Sequence, residues 1–426
     1  MLKIIMDKIV VLGGNRLKGS VKISGSKNAV LPTMAAALLA EGDHRIENVP
    51  VLRDVQTMSR LLESIGADVK FKDHLLQMNT QGCSSFEAPY DLVKTMRASI
   101  YVLSPLVSRF GYAKVSLPGG CAWGPRPVNL HIEGLRKLGA QIKIEKGYIV
   151  ARAKKLRGTH ITFDIPSVGA TGNILMAAVL ARGTTVIENA AKEPEIKFLT
   201  SFLQKMGANI EGAGTGHLKI EGVESLRPAS IVVIPDRIET GTFLVACHMT
   251  GGDVHLEGAN SSYLTSVIDK LRDSGALIEQ GDLWIRIRSK GKIRPVDVST
   301  AVYPGFPTDM QAQWMALMSI AQGSSVVTDP IFKDRFTHVA ELQRLGAEIT
   351  LDQNVAVIKG VEHLSGAPVM STDLRASASL ILAGLVARGR TDISRIYHID
   401  RGYERIEEKF KALGAEIWRD QEELVI

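Results

Sequence analysis

An α/β fold built from six repeats of about 70 residues is what this 426-residue sequence predicts, and two observations predict it. The first is a helix-ending phrase close to L-x-x-x-G-A followed by a strand-like run, in SIGADVKF, KLGAQIKI, KMGANIEG, DSGALIEQ, RLGAEITL and ALGAEIWR. Its glycines, Gly66, Gly139, Gly207, Gly275, Gly346 and Gly414, are separated by 73, 68, 68, 71 and 68 residues, a regularity that marks repeated supersecondary units. The second is another glycine 23 to 28 residues before each of these: Gly42, Gly111, Gly183, Gly251, Gly323 and Gly389. Strands and helices alternate throughout, which places the chain in the α/β class. Six such units exceed one compact core, so two globular domains of three units each are expected. The alternative is an open solenoid of six stacked units.

Each repeat opens with an apolar helix, as in MAAALLAEG, MAAVLARG and LAGLVARG. It is apolar nearly all round and therefore belongs in a core. The glycine after it suits the left-handed residue that commonly ends a helix. A short strand such as TTVIEN follows, then a helix with one polar face, such as LRDVQTMSRLLESIG, expected nearer solvent. The Gly-Ala phrase ends that helix, and two strands complete the repeat. The N-terminal MLKIIMDKIVVLGG reads as a first strand and not as a signal peptide, because Asp7 and Lys8 split its apolar part and no small-residue cleavage site follows.

Hydrophobic residues make up 45% of the chain and charged residues 23%, the balance of a soluble globular protein, which excludes disordered, collagen-like and disulfide-scaffold chains. Apolar runs such as Ile174 to Ala181 stop at about eight residues, short of the ~18 needed to span a bilayer. No membrane association is expected. Three cysteines, Cys83, Cys121 and Cys247, form an odd set, so free thiols in a reducing cytoplasm are expected. The net charge of +6 comes without a Lys/Arg block. Nucleic acid is therefore not an expected partner, and small anionic ligands explain the excess.

Counting back 14 to 16 residues from the glycine that closes each apolar helix reaches its N-terminal end. Polar residues stand there every time: Lys27 with Asn28, Arg97, Ser167, Asp236, Asp309, and Asp373 with Arg375. Equivalent positions in a repeat occupy equivalent places, so these ends can face a common cleft. Ser and Asp are ordinary caps for the unpaired N–H groups at a helix start. Lys27, Arg97 and Arg375 oppose the helix dipole, at a cost of about 0.3–1 kcal/mol each when exposed. A bound anion such as phosphate reverses that sign; the alternative is an ion pair with a neighbouring carboxylate.

The segment LPGGCAWGPRPVNLHI, residues 117 to 132, is a Gly/Pro-rich loop long enough to be functional. It carries Cys121 and Arg126, and a thiol beside cations is a candidate acid, base or nucleophile. Cys247, inside FLVACHM, reads as a packed core residue, and Cys83 has no basic company. No G-x-G-x-x-G follows a strand, and GGNRLKGS fails as a P-loop because its lysine precedes the second glycine. There is no H-E-x-x-H, C-x-x-C or clustered His set, so neither a metal nor another cofactor is expected.

With these residues in view, the sequence resembles the UDP-N-acetylglucosamine 1-carboxyvinyltransferases, enolpyruvyl transferases of peptidoglycan synthesis. The resemblance lies in KISGSKNAVLP, PGGCAWGPRPVNLHIEGL, PSVGATGNILMAA, IPDRIETGTFL, YPGFPTDMQAQ, DLRASASLILAGL and YHIDRGYERIEEK, spread over essentially the whole chain. It implies an inside-out α/β barrel architecture: two globular domains of three units with buried parallel helices and an active site in the cleft between them. The implied domains are residues 22–234, carrying the Cys121 loop, and residues 1–21 with 235–426. It further implies closure over the sugar nucleotide with the Cys121 loop as a lid, in a cytoplasmic enzyme, taken here as a monomer.

The implied reaction moves the enolpyruvyl group of phosphoenolpyruvate to the 3-hydroxyl of UDP-N-acetylglucosamine and releases phosphate, through a tetrahedral ketal. By resemblance Cys121 is the general acid at C3 of phosphoenolpyruvate, a role open to a thiol with pKa near ~8.5. Asp309 takes the proton of the sugar hydroxyl; its ordinary pKa near ~3.9 would have to be raised by burial or by a like-charged substrate group. Lys27, Arg126 and Arg401 hold the phosphate and carboxylate of phosphoenolpyruvate. Asn28, Asp373 and Arg375 stand beside them, with Asp373 orienting the basic groups and aiding proton traffic. The sugar nucleotide is implied to meet Asn28, Arg97, Arg126, Pro127, Val128, Asn129, Leu130, Ser167, Val168, Gly169, Asp309 and Ile331. Backbone N–H groups at the Ser167 helix start can hold its diphosphate without a metal.

Two positions depart from the family pattern. Asn129 stands where many members have Asp, which removes one carboxylate acceptor for the uracil end, and Ile165 with Pro166 precedes Ser167 where some members carry Lys. Three rival readings remain on these residues: enolpyruvyl transfer to another acceptor such as shikimate 3-phosphate, an idle sugar-nucleotide sensor, and a nucleic-acid-binding solenoid.

Overall fold

The repeat glycines are where the chain turns. Gly66 ends the Arg53–Ile65 helix at φ 108°, and the N–H groups of Gly66 and Ala67 reach back to the carbonyls of Glu63 and Leu62 at 2.9 and 3.0 Å. A Cβ resists that left-handed conformation. The five equivalent glycines have φ between 92° and 111°, and the six that follow the apolar helices are also at positive φ. The computed structural model describes residues 3–117 and 128–425.

Among the described residues the strands form six four-stranded sheets of one plan. A short edge strand runs parallel to its neighbour, and the next two strands are antiparallel, as in His160–Thr162, Thr184–Glu188, His217–Glu221 and Asn209–Glu211. The buried Val168–Ala178 helix is the crossover between the parallel pair, as a parallel connection requires. The short edge strands are two to five residues long and were not part of the expected repeat. The first strand, Lys3–Leu12, fills the last sheet, with Ile9 opposite Ile393 and Val10 opposite Trp418.

Two edge strands are exchanged. Lys18–Lys22 precedes the Lys27–Ala36 helix but pairs with Asp253–Glu257, while Ser230–Val232 precedes the Arg237–Thr250 helix but pairs with Asp43–Glu47. The chain accordingly divides into two compact units, Met1–Ser24 with Pro235–Ile426, and Gly25–Ile234. Each holds three of the sheets, so the open six-unit stack does not describe it. Ser24 is tied into the discontinuous unit: its N–H donates to Glu239 Oε2 at 2.7 Å and its Oγ accepts from Lys409 Nζ at 2.7 Å.

At the centre of each unit lie the apolar helices. Ala29 to Ala36, Ala170 to Ala178 and Ile238 to Met249 are buried without interruption. Gln311–Met318 is buried along its whole length, and Leu374–Val386 as far as Leu385. The second repeat departs from a single helix: a 3-10 segment, Arg97–Val102, runs into Leu103–Phe110. The amphipathic helices cover these cores with one face; Arg53–Ile65 buries Val55, Met58, Leu61, Leu62 and Ile65. No helix among the described residues is long and apolar enough to cross a membrane.

Close backbone approach fixes the ends of the buried helices. A Cβ on Gly222 would sit 1.6 Å from the carbonyl oxygen of Ala181, whereas one on Gly183 would meet nothing within 4 Å and suffer only from φ 91°. Gly222→Ala is expected to lower stability by about 3 kcal/mol, the upper end for overpacking, and Gly183→Ala by about 1 kcal/mol. Denaturant unfolding of the two variants measures the difference; equal losses would contradict the packing described.

Candidate active site

In the continuous unit, Ser26 caps the Lys27–Ala36 helix, its Oγ accepting from the N–H of Ala29 at 3.3 Å. Lys27 is thus the first helical residue, with Asn28 next. Its Nζ lies 3.3 Å from Asp54 Oδ2, and both side chains are largely buried. The ion pair is the alternative that the sequence left open for this cation, and Asp54, 27 residues on, carried no signal of it. Arg97 begins the 3-10 segment of the second repeat. Ser167 caps the third helix by accepting from the N–H of Ala170 at 3.3 Å. The N–H groups of Val168 and Gly169 precede the first intrahelical bond, so they point out of the helix start.

Beside that start lies His131, which the sequence did not single out. Its Nδ1 is 2.8 Å from Asn173 Nδ2. Its ring packs against Gly169, where a Cβ would come within 3.1 Å of it. Burial, aided by the charge of Arg97, lowers the His131 pKa to about 4, so it is neutral at physiological pH. Val128 and Asn129 open the Asn129–Lys137 helix, Asn129 exposed and Val128 and Leu130 half-buried. Ile165 is 65% exposed. Cys121, Arg126 and Pro127 lie outside the described residues. The other two thiols are buried; burial pushes Cys247 up to about 12 and raises Cys83, which disfavours the thiolate of each. Among the described residues no group of His, Cys, Asp and Glu could hold a metal.

In the discontinuous unit three helix starts share one buried polar cluster. Asp236 caps Arg237–Thr250 through Oδ1, which accepts from the N–H groups of Ile238 and Glu239 at 2.8 and 3.0 Å. Asp373 caps Leu374–Val386 in the same way, accepting from Arg375 and Ala376 at 2.7 and 3.0 Å. Tyr403 Oη joins Thr242 of the first helix at 2.8 Å, and Gln313 of the second and Arg375 of the third each donate to it at 3.3 Å. Arg401 ends the 3-10 segment Ile396–Arg401. The preceding Asp400 accepts from Arg419 Nη1 at 3.1 Å, and Arg419 Nε donates to Glu407 at 2.5 Å.

Asp309 differs from the other acidic helix starts. It lies in the 3-10 turn Thr308–Met310 and caps nothing. Arg375 Nη2 donates to its Oδ2 at 2.6 Å, and Arg335 Nη2 lies 2.8 Å from its Oδ1. The carboxylate side chain is 27% exposed; the two arginines are 6% and 5% exposed. Burial alone would raise the Asp309 pKa, but the paired guanidinium charges outweigh it and hold the group well below the usual carboxylate range. Of the two influences named for raising this carboxyl, burial and a like-charged substrate group, burial is outweighed by the two cations that face it. Arg335, in KDRF between the strand Ser324–Thr328 and the helix Val339–Arg344 of the fifth repeat, carried no motif to reveal it. Reciprocally, Asp309 keeps the buried Arg375 charged.

A depressed folded pKa stabilises above the unfolded value and loses that contribution as pH falls through the folded value. Asp309→Asn is expected to cost about 3 kcal/mol at pH 7, because it strands two buried guanidinium groups. It should also flatten the fall in stability below about pH 4, the ordinary carboxylate value. Thermal unfolding of both proteins between pH 3 and 7 checks this, and parallel pH curves would contradict it.

The chain matches the family described as EPSP synthase (3-phosphoshikimate 1-carboxyvinyltransferase) over residues 11–410. It is 56% identical over 415 residues to a UDP-N-acetylglucosamine 1-carboxyvinyltransferase of Thermodesulfovibrio yellowstonii, covering 97% of this chain and 100% of that one. To the protein of that name from Myxococcus xanthus it is 53% identical over 419 residues, covering 98% and 100%. Among solved structures, the enolpyruvyl transferase NikO from Streptomyces tendae superposes with a TM-score of 0.89 at 28% identity, over 98% of this chain and 99% of that one. An EPSP synthase from Acinetobacter baumannii, at 21% identity and TM-score 0.75 over 97% and 100%, shares the fold. Near-full-length identity above half, on the enolpyruvyl transferase fold, establishes that the chain belongs to the UDP-N-acetylglucosamine 1-carboxyvinyltransferase family.

Proposed function

We propose that this chain transfers the enolpyruvyl group of phosphoenolpyruvate to the 3-hydroxyl of UDP-N-acetylglucosamine with release of phosphate, the first committed step of peptidoglycan synthesis. The observation that carries the reading is 53 to 56% identity, along 97 to 98% of the chain, to proteins bearing that activity in their name. In this reading the protein works as a cytoplasmic monomer. No metal or other cofactor takes part.

The chemistry adds the sugar oxygen to C2 of phosphoenolpyruvate while C3 gains a proton. The tetrahedral ketal then loses phosphate from C2 and a proton from C3. Cys121 supplies the proton to C3, since a thiol with an ordinary pKa near ~8.5 is protonated at neutral pH. Lys27, Arg126, Arg375 and Arg401 hold the two anionic groups of phosphoenolpyruvate, and their charge stabilises the ketal. The outward N–H groups of Val168 and Gly169, with Arg97, receive the diphosphate. The residues from Arg126 to Leu130, with Ile331, place the rest of the nucleotide.

Asp309 takes the proton from the 3-hydroxyl, and the two arginines set the condition for it. A carboxylate held by Arg375 and Arg335 is a poor base, because a proton must displace those contacts. Phosphoenolpyruvate brings a carboxylate and a phosphate that compete for Arg375. Each share of that guanidinium drawn to the substrate returns Asp309 towards its ordinary basicity, at about 1.4 kcal/mol per pKa unit. Lys27 makes the matching exchange, from Asp54 to the incoming phosphate. The base is thus activated when the substrate it serves arrives.

Phosphate release from phosphoenolpyruvate should saturate with UDP-N-acetylglucosamine and be absent with shikimate 3-phosphate; the reverse preference would overturn the reading. Cys121→Ser should lose about 100-fold or more in kcat, the lower range for a general acid, while UDP-N-acetylglucosamine affinity measured by calorimetry stays unchanged. Lys27→Ala should instead raise the KM for phosphoenolpyruvate. The epoxide fosfomycin, an analogue of phosphoenolpyruvate, should label Cys121 and neither Cys83 nor Cys247, as read by peptide mass spectrometry.

A further inference from the structure

Behind Asp309 lies a second carboxylate that neither the repeat nor the reaction accounts for. Asp329 follows the strand Ser324–Thr328 and is fully buried. Its Oδ1 accepts from Thr300 Oγ1 at 2.7 Å and from the backbone N–H groups of Ile331 and Phe332 at 3.0 and 2.9 Å. Its Oδ2 accepts from Thr308 Oγ1 at 2.6 Å. A buried carboxylate persists only when its lone pairs are met, and four charge-assisted donors meet them here.

The polarity of the cluster is fixed by these contacts. Thr308 spends its hydroxyl hydrogen on Asp329, so its oxygen is left to accept, and Arg335 Nη1 donates to it at 3.0 Å. Arg335 Nη2 then reaches Asp309. One arm of Asp329 therefore runs through Thr308 and Arg335 to the Asp309 carboxylate. The other arm pins the N–H of Ile331 two residues along the chain. The turn carrying Asp309, the turn carrying Ile331 and the side chain of Arg335 are locked to one anion.

We propose that Asp329 and Thr308 are positioning residues, which set the proton-accepting carboxylate of Asp309 and the sugar-nucleotide contact at Ile331 as a single piece. The inference rests on the function proposed above, in which Asp309 meets the 3-hydroxyl and Ile331 the nucleotide. A reacting hydroxyl and its base must be aligned to a fraction of an ångström, and a misplacement near 1 Å costs about 100-fold in rate. Tying both contacts to one buried carboxylate supplies that alignment.

The two arms separate by mutation. Thr308→Val keeps the shape but removes the arm to Asp309; kcat should fall by about 10- to 100-fold, with KM for UDP-N-acetylglucosamine changed less than about threefold. Thr308→Ser returns the hydroxyl and should recover most of kcat. Asp329→Asn leaves an amide facing Thr308 and weakens both arms, so kcat should fall and KM for UDP-N-acetylglucosamine should rise together, with KM for phosphoenolpyruvate little altered. A loss of melting temperature with wild-type kcat and KM in Thr308→Val and Asp329→Asn would overturn the proposal, as would a Thr308→Ser protein no better than Thr308→Val. If Thr308→Val does not fold, the comparison of Thr308→Ser with Asp329→Asn decides by the same split. An Asp309→Asn protein with normal turnover would instead show that the underlying role of Asp309 is wrong, which keeps the two failures distinct.

Discussion

The arrangement depends on one buried ion cluster, the carboxylate of Asp309 held between Arg375 and Arg335. Burying three charged groups is costly, and mutual attraction repays it only when geometry is close and the remaining donors are met. Arg375 also donates to Tyr403, and Arg335 to Thr308, which meets part of that requirement. Tyr403 in turn ties together Thr242, Gln313 and Arg375, one from each central helix of the unit. The cluster is therefore both the junction of three helix starts and the place that holds Asp309, the proposed base.

Six-fold repetition explains why such a junction exists. Each repeat delivers an apolar helix to the centre and leaves its N-terminal end polar, because the N–H groups there need acceptors. Ser26, Ser167, Asp236 and Asp373 fill that need with their own side chains. Lys27 and Arg375 then follow their caps within the first turn, where the helix field opposes them. Each is balanced by a carboxylate, Asp54 and Asp309 respectively. In the proposed reaction these ion pairs act as stored anion sites: an incoming phosphate or carboxylate replaces an internal partner and meets cations already in place, with little reorganisation.

Much of this was legible in the sequence because it is local. The twelve glycines mark helix ends since positive φ is a property of single residues. The apolar helices announced the core, and the polar residues before them the caps at their starts. The short edge strands left no mark, because Glu87–Ala88 and Val298–Ser299 are too short to show alternation. Their exchange between Lys18–Lys22 and Ser230–Val232 is a property of topology. The arginines around Asp309 left no mark for the same reason: Arg375, 66 residues away in the chain, and Arg335, in the connection between a strand and an amphipathic helix, are brought to it only by folding. Asp54 and Asp329 were invisible on the same ground.

The central claim is that Asp309 is restrained as an anion by its arginines and released by the substrate's own charge. Its most direct test is the carboxyl 13C titration of Asp309 in selectively labelled protein, assigned by loss of the signal in Asp309→Asn. With the protein alone, the signal should stay that of a carboxylate well below pH ~4, the ordinary aspartate value. With UDP-N-acetylglucosamine and a non-transferable phosphoenolpyruvate analogue, its titration should move upward. An ordinary titration in the protein alone, or one that the two ligands leave in place, would contradict the account.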